Sequence, residues 1–185
     1  MWTGKIYFSF TNTFEENLIS AIQYFQKAEG KAVFDIYGPI EENEYWKECQ
    51  KEIEKLPDNV KVNYCGLVSH DEVHEVFSKY DAFVFPTFSE NYGHVIAEAL
   101  IVGTPVVLGQ GTTPWDDVNG KAGFIAELSD KSAFTEYLNS IIKMDETDYK
   151  KVTHRVLEYI EERLEIIELK SKYVSVLDTL ISDGE

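Results

Sequence analysis

The stretch Phe83–Val107, FVFPTFSENYGHVIAEALIVGTPVV, decides the fold. It continues a short apolar segment, Asp81–Pro86, whose aromatic and β-branched side chains predict a strand buried on both faces. A polar turn follows, and a helix is predicted over Tyr92–Val102 because Gly103 stops it. Thr104–Leu108 then reads as the next buried strand. Strand, turn, helix and strand in this order make a βα unit of a parallel sheet. The turn therefore lies at the carboxyl end of its strand, where open parallel sheets bind ligands.

The rest of the chain repeats the pattern. Upstream, Lys5–Phe10 and Ala32–Gly38 read as strands, separated by a helix over Glu15–Ala28 with Leu18, Ile19, Ile22 and Phe25 on one face. A polar helix over Asn43–Leu56 carries Trp46, Cys49 and Ile53 and is broken by Pro57-Asp58-Asn59 before a third strand, Val60–Cys65. Ser69 and Glu72 have the spacing of a capping box for a helix over His70–Lys79. Downstream, Gly109–Gly123 is a Gly, Thr and Asp-rich loop of the kind that binds ligands more often than it supports a core. A short strand at Ala122–Ala126, a helix over Asp130–Ile142 and one or two closing helices over Glu146–Ile181 complete the reading. In that last segment Leu157, Ile160, Leu164 and Ile167 are expected to pack inward and the acidic residues to face water.

At 185 residues the chain is long enough for one α/β domain, and its 44% apolar and 14% aromatic content supplies a core. With 17 Lys and Arg against 33 Asp and Glu, the net charge of −16 opposes binding to nucleic acid or an anionic membrane. It does not oppose a small phosphorylated ligand held by backbone amides. Two cysteines, Cys49 and Cys65, without metal-ligand spacing point to a reducing compartment and no zinc site, and no apolar run is long enough to cross a bilayer, so a cytoplasmic location is expected. His70 and His74 share a helix face without an evident third ligand, so they read as solvated residues rather than a metal site.

The chemistry concentrates in the turn after the Asp81–Pro86 strand. Glu90 and Glu98 are eight residues apart, one before the predicted helix and one about two turns along it, so they could address opposite ends of an elongated ligand. Between them the amides of Asn91, Tyr92, Gly93 and His94 are placed at a helix N-terminus, where a diphosphate is stabilised by free N–H groups and the helix dipole. Gly93 permits close approach, and His94 is either a donor to phosphate or a surface histidine. Trp115-Asp116-Asp117 reads either as a sugar-contacting edge or, preferably, as an acidic turn.

Together these residues resemble the donor-lobe signature of retaining GT-B glycosyltransferases of family 4, the glycosyl transferases group 1. The matching pieces are Glu90-x7-Glu98, Glu98-Ala99, Gly103 and Pro105-Val106-Val107, and FDIYG, NVKVNYCGLV and SKYDAFVFP occur in the family's order. The resemblance implies a Rossmann-like three-layer α/β/α lobe spanning residues 1–185, with a nucleotide-diphosphate sugar as substrate and no metal cofactor. By the same resemblance Glu90 faces the donor sugar as the catalytic carboxylate and Glu98 holds the ribose hydroxyls. The Asn91–His94 turn cradles the diphosphate, the loop with Thr112 and Thr113 lies near the donor, and Gly38 and the Gly66–Val68 turn border the base.

The match has two departures. Where the family carries an Arg and, about five residues on, a Lys to neutralise the leaving diphosphate, this chain has Phe10 and Glu15 or Glu16. Each lost preorganised contact can remove ~3 kcal/mol of transition-state stabilisation. The family's acceptor-binding lobe is also outside this sequence, so an acceptor lobe or subunit is an expected partner, through which the protein could reach a membrane surface. The competing expectation is a degenerate lobe that serves as a partner-binding or scaffolding module. A dehydrogenase is disfavoured because no G-x-G-x-x-G follows a strand.

Overall fold

A computed structural model of the chain describes the backbone of residues 4–9 and 16–182, with side chains for residues 16–164. Six parallel strands, β1 (Gly4–Ser9), β2 (Ala32–Tyr37), β3 (Val60–Gly66), β4 (Ala82–Phe85), β5 (Val106–Gly109) and β6 (Gly123–Ala126), form one sheet in the order β3-β2-β1-β4-β5-β6. The helices are α1 (Leu18–Gln23), α2 (Asn43–Ile53), α3 (Val73–Phe77), α4 (His94–Ile101), α5 (Lys131–Ile142) and α6 (Glu146–Ser182).

Alternation along the strands sorts the helices into layers. Phe34 and Ile36 of β2, Val84 of β4 and Val107 of β5 share one buried cluster with α1, α2 and α5, whose Leu18, Ile22, Cys49, Phe134 and Leu138 it contains. Phe83, Phe85, Val106 and Leu108 point the other way, into a cluster with Phe77 of α3, Ile96 and Leu100 of α4, and Val152, Val156 and Ile160 of α6. β4 and β5 are buried on both faces, which is why their sequences are continuous apolar runs. The chain thus has the expected three-layer α/β/α architecture, with a reversal of strand order between β1 and β4.

That reversal creates the crevice in which doubly wound sheets bind ligands. Its walls are tied together by Asn17, which is only 6% exposed and adopts a left-handed conformation (φ 58°) ahead of α1. Its side-chain amide donates to the Pro86 carbonyl at the end of β4, at 3.1 Å. Asn tolerates this backbone region better than Ala does. Asn17→Ala is expected to lower unfolding stability by about 2 kcal/mol, combining backbone strain with a buried carbonyl left unsatisfied. Chemical denaturation measures this, and an unchanged midpoint would remove the tether from the account.

Several boundaries differ from the sequence expectation. α1 ends at Gln23 because the following residues close by i→i+3 bonds, Phe25 to Ile22, Gln26 to Gln23 and Ala28 to Phe25; the expected start at Glu15 lies outside the described residues. The same tightening shortens α2, and His70–Glu72 is a separate 3₁₀ turn before α3. The Ser69 hydroxyl donates to the Glu72 carboxylate instead of accepting a backbone amide, so the capping box forms only as a side-chain pair. The closing segment is one continuous helix.

In α6 only part of the expected apolar face packs inward. Ile160 is buried, but Leu157 and Leu164 are 40% and 45% exposed, and the side chain of Ile167 lies outside the described residues. The core takes Val152, Val156, Tyr159 and Ile160, an i, i+4, i+7, i+8 stripe that leaves Leu157 and Leu164 on its flank.

Candidate functional site

The site is built at the carboxyl ends of β4 and β5. Pro86 and buried Thr87 leave β4, and the Thr87 hydroxyl bonds the Ser89 carbonyl at 3.0 Å, folding the chain into a turn. Glu90 is fixed next: its N–H donates to the Thr112 carbonyl at 2.8 Å, joining this turn to the loop after β5. The Glu90 carboxylate then folds back, and one of its oxygens accepts the amides of Tyr92 at 2.9 Å and Gly93 at 3.1 Å.

The helix opens later than predicted. Gly93 caps α4 in a left-handed conformation (φ 69°), so Tyr92 and Gly93 precede the helix and His94 is its first residue. A side chain at Gly93 has no room: an added Cβ would lie 2.6 Å from Trp115 Nε1 and 2.9 Å from the Ile96 side chain. Glu98 is consequently the fifth residue of α4, about 6 Å along the axis from His94 rather than two turns. The expected run of four free amides is also divided. Those of Tyr92 and Gly93 are directed at Glu90, while among the described residues nothing accepts from His94 or Val95.

Glu98 is partly buried, with 22% of its side chain exposed, and faces the turn after β3, where His70 Nδ1 lies 3.8 Å from its carboxylate. The histidine expected to be solvated is thus exposed and within ion-pairing distance of a site residue. Among the described residues no three His, Cys, Asp or Glu side chains gather as a cation site. Tyr92 is 73% exposed and its ring stacks on His94 at 5.8 Å between centroids, forming one exposed wall; Asn91 is exposed beside it.

Gly38 and Gly66 meet at the ends of β2 and β3. The Gly38 amide donates to the Gly66 carbonyl at 2.8 Å, and the Tyr64 hydroxyl donates to the Gly38 carbonyl at 2.7 Å. Cys65 and Tyr37 lie alongside; burial, then the charge of Asp35, pushes the Cys65 thiol above its ordinary value, and burial pushes up Tyr37. A raised thiol pKa disfavours the thiolate form that acts as a nucleophile.

Thr112 and Thr113 serve the loop itself. The Thr112 hydroxyl donates to the Gly109 carbonyl at 3.0 Å, and the Thr113 hydroxyl accepts the Trp115 amide at 3.2 Å. The Asp116 carboxylate accepts the Gly111 amide at 2.9 Å. Sequence reasoning missed the role of Trp115, which is 6% exposed and donates its indole N–H to the Tyr92 carbonyl at 2.9 Å. The usable signal was a lone Trp in a polar loop, since a buried indole N–H needs an acceptor. Of the residues standing where the family has cations, Phe10 and Glu15 lie outside the described residues, and Glu16, the alternative to Glu15, is half-buried just ahead of α1.

The model of the family described as glycosyl transferases group 1 matches residues 13–161. The chain belongs to this family. Of the residues that carry the sequence resemblance, Glu90 lies before α4, Glu98 within it and Gly103 after it. Among curated proteins the chain is similar to the capsular polysaccharide biosynthesis glycosyltransferase CapM of Staphylococcus aureus, with 29% identity over 110 residues, which is 59% of this chain and 29% of CapM. Among solved structures it resembles HepE of Anabaena in complex with UDP-glucose (TM-score 0.78, 16% identity, 96% of this chain and 49% of that one). It also resembles the catalytic domain of the Helicobacter pylori cholesterol-α-glucosyltransferase (TM-score 0.70, 15% identity, 88% of this chain and 99% of that one). The structural likenesses show the shared GT-B lobe fold. The group 1 chain spans less than a third of CapM and about half of HepE. No described helix is long and apolar enough to cross a membrane.

Proposed function

We propose that the chain is the donor-binding lobe of a retaining glycosyltransferase of polysaccharide biosynthesis. It holds a nucleotide-diphosphate sugar for transfer to a glycan, lipid or protein acceptor presented by an acceptor-binding lobe or subunit. The observation that carries this reading is the Glu90 carboxylate seated on the Tyr92 and Gly93 amides beside the switch point. An anionic oxygen is already favoured at that spot, and a diphosphate oxygen has the same requirement. The structure of HepE with UDP-glucose supports the ligand class.

In this reading the donor exchanges one anion for another. The diphosphate takes the Tyr92 and Gly93 amides together with those of His94 and Val95. Glu90 swings from the amides to the sugar hydroxyls, and Glu98 accepts the two ribose hydroxyls while the base lies against Gly38 and the Gly66–Val68 turn. Amides aimed at the leaving diphosphate stabilise charge that grows in the transition state without reorganising. The reaction needs no metal and takes place in the cytoplasm, with any membrane contact made through the partner.

The test is calorimetric titration with UDP-, GDP-, ADP- and CMP-sugars and the free diphosphates, on the wild type and Glu90→Gln. Wild type is expected to bind one donor. Glu90→Gln is expected to bind the free diphosphate several-fold more tightly, since a neutral competitor leaves the amides more readily, and to lose the extra affinity conferred by the sugar. Equal weakening toward both ligands would defeat the exchange. Phe10, Glu15 and Glu16, standing where the family has cations, favour the second reading, a non-catalytic interaction module. Absence of donor binding by a folded wild type would select that reading.

A further inference from the structure

We propose that Arg163 of α6 is a positioning residue for the diphosphate turn, acting through Trp115; the proposal rests on the donor-binding reading above. Arg163 holds the loop after β5 at several points. Its Nη1 engages both oxygens of Asp117 and donates to the Tyr159 hydroxyl at 3.0 Å, its Nη2 donates to the Pro114 carbonyl at 3.0 Å, and its guanidinium carbon lies 4.2 Å from the Trp115 ring centroid. A planar fork that hydrogen-bonds at its edge while stacking on its face is a task for Arg and not for Lys.

Trp115 passes this constraint to the site. Its indole N–H holds the Tyr92 carbonyl, and its ring edge fills the space a Gly93 side chain would need, 2.6 Å from where a Cβ would stand. The Tyr92–Gly93 peptide is therefore clamped between Trp115 on one side and the anion on the other, because the Tyr92 and Gly93 amides are the two that face Glu90. Arg163 itself touches neither amide, so its effect on a ligand is confined to where the turn stands. Without the fork the loop and ring relax, and the two amides no longer converge on one oxygen. Binding through the base and ribose, which uses Glu98 and the turns after β2 and β3, does not depend on this contact.

The experiment compares nucleosides with nucleoside diphosphates of all four bases, by NMR titration, on wild type, Arg163→Ala, Arg163→Lys and Val152→Ala. Val152 is buried on α6 about 16 Å along the helix from Arg163 and serves as a purely structural control. Arg163→Ala is expected to weaken diphosphate binding about tenfold while leaving nucleoside affinity in place, and Arg163→Lys to restore little of it. Val152→Ala is expected to lower the melting temperature without changing the ratio of the two affinities.

Amide hydrogen exchange at Tyr92 and Gly93 is the second readout and needs no ligand. It is expected to accelerate in Arg163→Ala and not in Val152→Ala. Equal loss of nucleoside and diphosphate affinity, or unchanged exchange at these two amides, overturns the proposal. If wild type binds no nucleotide at all, the donor-binding reading fails, and the exchange measurement alone decides whether Arg163 positions the turn. Should Arg163→Ala not fold, Arg163→Lys, which keeps the charge, carries both readouts.

Discussion

Gly93→Ala is expected to abolish measurable donor binding and to lower the melting temperature by about 10 °C, the largest effect of any single change at the site. Two costs add at this position. An L-residue at φ 69° is strained by ~1–2 kcal/mol, and a Cβ placed 2.6 Å from Trp115 Nε1 meets a ring that cannot yield, held by Tyr92 and stacked under Arg163. Overpacking against such a neighbour adds ~1–3 kcal/mol, so the total is about 2–5 kcal/mol. That is less than the stability of an ordinary domain, so the protein folds with a displaced turn. Gly93→Asn separates the two costs. Asn accepts the left-handed region but brings the same Cβ, so it is expected to rescue little. Full rescue by Asn would show that backbone strain alone makes this glycine necessary. Thermal melts and donor titration provide the readouts.

Glu98→Ala is expected to cost ten- to a hundredfold in nucleotide affinity, an estimate of about 1.5–3 kcal/mol for the loss of a charged acceptor from two hydroxyls. Its stability cost is expected to be small, because among the described residues the carboxylate's ionic neighbour is the exposed His70, at 3.8 Å. The effect on binding thus exceeds the effect on folding, the reverse of a core substitution. Glu98→Gln keeps the shape and weakens the acceptor, and is expected to fall between. Unchanged affinity in a folded Glu98→Ala protein would remove the carboxylate from the ribose site and with it much of the donor-lobe reading.

The strands and layers were legible because their physics is local. DAFVFP and TPVV are continuous apolar runs that can be buried only between two helix layers, and the alternation in AVFDIY assigns Phe34 and Ile36 to one face. Helix ends were less legible. Nothing in Tyr92-Gly93-His94 says whether the helix begins at Tyr92 or His94, because either start satisfies the periodicity; the choice follows from the left-handed Gly93 pressed against Trp115. The inward face of α6 was misjudged for a related reason. Leu157 and Leu164 share a helical surface with Ile160, but the core packs against the stripe through Val152, Val156, Tyr159 and Ile160 and leaves those two leucines at its edge.

What the sequence by itself determined is the chain of βα units, the family signature and the placement of Glu90 and Glu98 around one turn, since all of these are set by residue type and short-range spacing. Only the tertiary structure decided what those residues touch. It seats Glu90 on the Tyr92 and Gly93 amides, ties Asn17 to Pro86 across the sheet's switch point, and brings Trp115 and Arg163 in behind the turn. The last of these partners are separated by tens of residues along the chain. Hydrogen bonds and ring contacts depend on positions to within a fraction of an ångström, and for distant segments such positions exist only after the two core layers have packed.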